Sequence, residues 1–143
     1  PPRSTLDRSS AASDVYKRQI GTVPGTDSPG AATFGDLAKA AGFKNGPFAM
    51  ESYDAAALML LAMEATKSSD SQVYKFAIDE IANAPGEKIF AGDLKKALKL
   101  ISEGKDVDYV GASAVELIGG GESAGNYAQI EVKSGVNETV AYR

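Results

Sequence analysis

The sequence predicts an α/β fold, and three observations carry that expectation. The stretch Gly46 to Ala65, GPFAMESYDAAALMLLAMEA, reads as a short apolar run feeding straight into a helix. Three further stretches repeat apolar residues at helical spacing, and the last third of the chain changes to alternation with a period of two. In the first of these, Pro47 to Met50 is expected to form a short buried strand, and Glu51-Ser52 a turn. A helix then opens at Tyr53-Asp54, with Ser52 as N-cap and Asp54 where the positive end of the helix dipole favours a carboxylate. Ala55 to Met63 is an unbroken apolar row, so this helix is expected to be buried on more than one side. A strand entering a buried helix is half of a βαβ unit, and such folds collect ligands beyond the carboxyl ends of their strands. Phe48 through Asp54 are therefore the expected functional stretch.

The first 19 residues read differently from the rest. Asp14 to Gln19, DVYKRQ, is codon for codon the translated end of a common transposase-based sequencing adaptor, and Pro1 to Thr5 matches a translated flow-cell primer. Leu6-Asp7-Arg8 fills a barcode-sized gap between them in the same frame. Residues 1 to 19 are accordingly expected to be a non-native, disordered tail, and a scar of this kind is excluded from fold reasoning. A plain disordered polar tail predicts the same lack of packed contacts. The natural part is expected to run from residue 20 to 143 and to begin within a gene, so that any signal peptide lies outside it.

Charge and composition then exclude several classes. Of 15 basic and 19 acidic residues, the tail holds four basic (Arg3, Arg8, Lys17, Arg18) and two acidic (Asp7, Asp14). The remainder keeps 11 and 17, a net charge of −6. An acidic surface with no basic cluster argues against nucleic acid and anionic membranes as partners. No apolar run reaches the ~18 residues of a spanning helix. Without cysteine there is no disulfide or thiol chemistry.

Taken in order, Ile20 to Val23 is a short strand ending at Pro24. Gly25 to Gly30 is rich in turn residues. Thr33 is expected to open a helix whose stripe is Phe34, Leu37, Ala38 and Ala41, with Thr33 and Asp36 at capping-box spacing and Gly42 as the stop. Lys67 to Asp70 breaks and re-caps the chain. The next helix carries Val73, Phe76, Ala77 and Ile81 on one face and ends at Ala84-Pro85-Gly86. Phe90 to Asp93 turns into a helix striped by Leu94, Ala97, Leu98 and Ile101 and stopped by Gly104. Val107, Tyr109 and Val110 suggest extended chain, Val115 to Ile118 a short strand, and Gly119 to Gly121 a flexible loop. Tyr127 to Val132 alternates, with Ala128, Ile130 and Val132 on one face. Lys133-Ser134-Gly135 then makes a hairpin turn into Glu138 to Tyr142.

Few motifs carry chemistry. Histidine and cysteine are both absent, which removes the Ser-His-Asp and Cys-His constellations and the usual zinc sites. Glu51 and Asp54 are the one candidate acid–base pair, set against the simpler reading that both favour a helix N-terminus. Gly119 to Gly121 lacks the lysine of a phosphate-binding loop. Asn137-Glu138-Thr139 fits a glycosylation pattern, but the match is short. Met59 and Met63 are expected in the core. Phe48 is either a core aromatic or the wall of a ligand site.

At SYDAAALMLLAMEA the chain resembles the type I periplasmic solute-binding proteins of ABC transporters, in particular the leucine/isoleucine/valine-binding branch. Gly21 to Phe34 (GTVPGTDSPGAATF), Gly46 to Ala56 and Ile101 to Leu117 (ISEGKDVDYVGASAVEL) carry the likeness in order and spacing. The resemblance implies two α/β lobes joined by three crossovers and closing on a small solute. It implies that residues 20 to 143 are a C-terminal fragment: a partial type I lobe, with helices on a mostly parallel sheet, plus a C-terminal β-hairpin. One crossover would fall near Gly21 to Pro24 and the last near Glu122 to Tyr127. The implied site residues are Phe48, Tyr53 and Asp54, with most ligand contacts upstream. The implied partners are an amino acid or similar solute and a membrane permease, the implied location periplasmic, and no cofactor or enzymatic step is implied. The chain departs from the family where a glycine usually follows Gly111-Ala112-Ser113, since Ala114 stands there. It departs again at Leu117 to Gly121, where the family carries Phe-Asp and an Asp/Asn-Gly turn.

Two other readings stay open beside the resemblance: a small α/β enzyme using Glu51 and Asp54, and a ligand-sensing regulatory domain of the same fold. A severed lobe would leave the apolar sides of Leu58, Leu61, Phe76 and Leu98 short of partner surface. Such a fragment is expected to fold poorly and not to bind solute by itself.

Overall fold

The computed structural model describes residues 19–143 of the chain, so the expectation for residues 1–18 lies outside the described residues. Gln19 is described, and its carbonyl accepts from the Val132 amide at 2.9 Å. The last residue of the expected tail thus extends a sheet instead of hanging free.

The fold is mixed α/β. Strand β1 (Ile20–Pro24) leads into helix α1 (Pro29–Ala40) and the long helix α2 (Ala49–Thr66). A broken segment follows: α3 (Ser71–Tyr74), a 3₁₀ turn (Lys75–Ala77) and α4 (Ile78–Ala82). Next come β2 (Glu87–Phe90), α5 (Leu94–Ser102) and β3 (Val107–Gly111). The chain ends in four strands, β4 (Leu117–Gly119), β5 (Glu122–Ser123), β6 (Tyr127–Lys133) and β7 (Val136–Tyr142). Strands β2 and β3 pair in parallel, β1, β6 and β7 form an antiparallel sheet in the order β1-β6-β7, and β4 pairs antiparallel with β5. The expected mostly parallel sheet is therefore not what is seen: among the described residues one pair of strands is parallel.

Several elements follow their local chemistry. Helix α1 starts four residues earlier than the Thr33 signal, because Ser28-Pro29 provides the boundary and proline suits the first turn. Thr33 is not a cap; its hydroxyl donates back to the Pro29 carbonyl at 3.2 Å. Phe34 and Ala38 of the expected stripe are buried, whereas Leu37 and Ala41 are exposed. Asp70 does re-cap the chain, accepting from the Gln72 amide at 2.8 Å. The C-terminal hairpin forms as expected, with Ser134 and Gly135 both at positive φ between Lys133 and Val136. Gly120 and Gly121, also at positive φ, make a tight turn between β4 and β5 in place of a loose loop.

The central stretch is where the expectation fails. Pro47 to Met50 is not a strand: Pro47-Phe48 is a turn, and helix α2 begins at Ala49. An apolar run of four cannot be told from the first turn of a helix by periodicity, and among the described residues no strand pairs with it. Ser52 accordingly sits inside the helix, its amide donating to the Phe48 carbonyl at 3.0 Å, and Phe48 occupies the N-cap position. Nor is α2 buried on several sides. Asp54, Ala57, Leu58, Leu61 and Ala62 form one buried stripe at helical spacing, while Met59 and Leu60 face solvent.

The βαβ unit lies later in the chain than expected, as β2-α5-β3. The EKIF strand escapes notice because only Ile89 of its four residues is buried. Around this unit packs the main core: Leu58, Leu61, Ile81, Ile89, Ala97, Val107 and Tyr109. Leu58 and Leu61 are thus covered, contrary to the expectation for a severed lobe. Phe76 (73% exposed) and Leu98 do lie open. Of the same expected stripe Ala77 and Ile81 are buried, whereas Val73 and Phe76 miss the core, the helix breaking into α, 3₁₀ and α pieces between them.

Candidate functional site

The carboxyl end of β3 organises the site. Gly111 adopts φ +66, and a Cβ there would fall 2.3 Å from an Asp54 oxygen and 2.6 Å from the Tyr109 ring. Only glycine lets the strand turn this close to the buried carboxylate. Gly30, in the first turn of α1, has the same constraint from the other side, since its Cβ would stand 1.8 Å from the Gly111 carbonyl oxygen. Helix α1 therefore meets the end of β3 at backbone contact, and helix α2 meets it through the Asp54 side chain.

Asp54 sits in the middle of this junction and is 1% exposed. Its Oδ1 accepts from Tyr109 Oη at 2.9 Å and from the Ala112 amide at 2.8 Å. Its Oδ2 accepts from the Ser113 amide at 2.7 Å and from Ser113 Oγ at 2.6 Å. A buried carboxylate with this many donors is fully satisfied, and no lone pair is directed toward a ligand. The same burial, together with the Asp54 charge and hydrogen bond, holds the Tyr109 hydroxyl far above its ordinary pKa, so it stays protonated and donates.

Beyond the junction lies a cleft of about 170 Å³, open to solvent on one side. Phe48 and Glu51, from the start of α2, form one wall. Pro24 at the end of β1, Ser123 at the end of β5, the link 124–126 and Tyr127 at the start of β6 form the other, with Ser113 and Val115 between. Phe48 is 61% exposed and held at φ 62, a costly conformation for an aromatic residue. A larger recess of about 490 Å³ lies between Ile81, Pro85, Ile101 and Val107. Its charged groups, Glu80, Lys105 and Asp106, are all exposed, so it offers no desolvated polar anchor.

The three residues expected at a site do not come together. Phe48 lines the cleft. Tyr53 turns away, its ring 5.3 Å from that of Phe34 and its hydroxyl accepting from the Gly92 amide at 3.3 Å. Asp54 supports the cleft from behind through Ser113. Glu51 lines the cleft and Asp54 does not, so the two carboxylates do not converge on one enclosed pocket. Ser113, Asn126 and Tyr127 are not among the expected site residues. Their sequence signals are indirect: Ser113 stands in the Gly111-Ala112-Ser113 run, and Asn126 and Tyr127 fall in the last expected crossover.

The end of β1 and the start of β6 are paired side by side. Val23 lies opposite Ala128, Pro24 opposite Tyr127, and the Gly25 amide donates to the Asn126 carbonyl at 3.1 Å. Among the described residues no cluster of carboxylates suited to a metal ion is found, and no helix is long and apolar enough to cross a membrane. Comparison with protein-family models, with curated proteins and with solved structures gave no match.

Proposed function

We propose that residues 20 to 143 are the C-terminal part of a two-lobed solute-binding receptor, the periplasmic substrate-binding component of an ABC importer. Its solute would be a branched-chain amino acid or a related small polar molecule, delivered to a membrane permease, with no cofactor and no nucleic acid involved. The observation that carries this reading is the position of the cleft. It opens at the paired ends of β1 and β6, with Pro24 and Tyr127 on one side and Phe48 and Glu51 of α2 on the other, and in this reading a second lobe would close there. Ala114 adds support. It adopts φ 56, a left-handed conformation that favours glycine, at the position where the resembled family usually has one.

In this reading Phe48 and Tyr127 provide aromatic walls and Glu51, Ser113 and Asn126 provide polar contacts, while Asp54 holds the wall in shape. A cleft of about 170 Å³ is smaller than the roughly 300–1,000 Å³ of complete ligand sites, as expected of half a site. The enzyme reading draws no support from an acid–base pair that diverges.

The test is to recover the uninterrupted genomic frame around Ile20, produce that whole protein, and measure thermal melts with millimolar leucine. The whole protein should gain Tm with leucine, and Phe48→Ala or Tyr127→Ala should abolish most of that gain. The 143-residue chain should show no gain, because half a site has little differential affinity to contribute. A cooperative transition of the 143-residue chain that rises with leucine would show a complete module and end the severed-lobe reading. A whole protein indifferent to every small polar solute tried would end the receptor reading.

A further inference from the structure

The described part of the molecule consists of two packed groups of elements. Helices α1 to α5 with β2 and β3 form one, joined by the β4-β5 pair, whose Leu117 packs on the main core, and the β1-β6-β7 sheet forms the other. The cleft lies between them, so its width depends on how the sheet is held against the helices.

A continuous chain of hydrogen bonds crosses that boundary. It starts at the Asp54 carboxylate on α2, which fixes the backbone of Ala112 and Ser113. The Asn126 side-chain amide then donates to the carbonyls of Ser113, at 3.2 Å, and Ala114, at 3.1 Å. The Asn126 backbone carbonyl in turn accepts from the Gly25 amide at 3.1 Å, which joins the end of β1 to the start of β6. Ser28 Oγ, at the start of α1, donates to the Ala112 carbonyl at 3.4 Å. Each link holds backbone, not a free side chain, so displacement at one end has little slack before it reaches the other.

We propose that Asp54 is a positioning residue for the cleft. Through Ser113 and Asn126 it clamps the paired ends of β1 and β6, and so the antiparallel sheet, at a fixed angle to the helical layer. An aspartate is suited to this because two oxygens can accept from successive amides and a hydroxyl together, locking the turn at residues 112–113. An asparagine would present an NH₂ to the Ser113 amide, a donor facing a donor. The inference concerns the geometry of the chain without solute, and it stands whether or not the cleft binds one.

The test measures the angle directly. The chain has no cysteine, so Leu60→Cys on α2 and Val140→Cys on β7, both exposed, accept a single pair of spin labels. Pulsed electron resonance on the full chain, without solute, then gives the distance distribution between the two groups. The unsubstituted background should give one narrow distribution. Asp54→Asn and Asn126→Ala should each broaden it about twofold, as expected of a released hinge. Tyr109→Phe removes a donor from the core side of the same carboxylate, so it should lower Tm yet leave the distribution narrow. This last variant separates positioning from general stability. A broad distribution in the background overturns the proposal, as does an unchanged one in Asn126→Ala or equal broadening in Tyr109→Phe. If Asp54→Asn fails to fold, Asn126→Ala decides, because its side chain is only half-buried.

Discussion

Replacing Asp54 with alanine removes an acceptor from four donor groups at once, and the cost can be worked group by group. Ser113 is half-buried, so its amide and hydroxyl can turn to water. Tyr109 and Ala112 are both 0% exposed, so their O–H and N–H are left without partners. A buried unsatisfied donor costs about 1–3 kcal/mol, and a hydrogen bond to a charged group contributes about 1.5–3 kcal/mol. Against this stands the relief of desolvating a carboxylate, which makes buried charges weak net stabilisers. Two stranded donors and the cavity left behind give a loss of about 3–5 kcal/mol. For a domain with a total of about 5–15 kcal/mol, that is enough to move it close to unfolding. Urea titration followed by far-UV circular dichroism would measure the change in midpoint at constant slope. A loss below about 1 kcal/mol would mean that water reaches Tyr109 and Ala112 freely, and the account of a closed, saturated junction would be wrong.

Three further outcomes follow from the same region. Tyr109 is held protonated by burial first, then by the charge and hydrogen bond of Asp54. Its folded pKa is raised, so its contribution is complete below the unfolded value of about 10 and declines above it, by up to about 1.4 kcal/mol per pH unit. Alkaline denaturation from pH 9 upward should show that slope in the native chain and a shallower one in Tyr109→Phe. Gly30→Ala places a methyl against the Gly111 carbonyl and should cost about 1–3 kcal/mol, as overpacking does; a Tm equal to that of the native chain would show that α1 can move aside freely. Ala114→Gly should stabilise by roughly 1 kcal/mol, since the residue occupies a left-handed conformation that penalises a side chain. A lower Tm would place the cost in the flexibility of the unfolded chain instead.

The sequence by itself determined what depends on neighbouring residues. Ser134-Gly135 sets the hairpin, because two residues at positive φ match the twist of the strands on either side. Asp70 caps the helix that begins at Ser71, Gly104 follows the end of α5, and the stripe of Phe34 and Ala38 marks the inner face of α1. Each of these is decided within about one helical turn, so the local pattern suffices. The βαβ rule points beyond the carboxyl end of a strand; the strand it expected at Pro47 to Met50 does not form, and the cleft that is seen takes Ser113 and Val115 from beyond the end of β3.

Only the tertiary structure decided the rest. Whether Pro47 to Met50 forms a strand depends on a partner strand, and among the described residues none pairs with it. EKIF becomes a strand because VDYVG lies parallel to it. The role of Asp54 was legible from its place in a helix only as a dipole preference. Its actual partners stand 55 to 59 residues away along the chain, and they convert an expected ligand contact into a buried anchor. The cleft likewise draws its walls from Pro24, from Phe48 and Glu51, and from residues 113 to 127. Segments that far apart are brought together by the pairing of β1 with β6, so no local pattern could have assembled them.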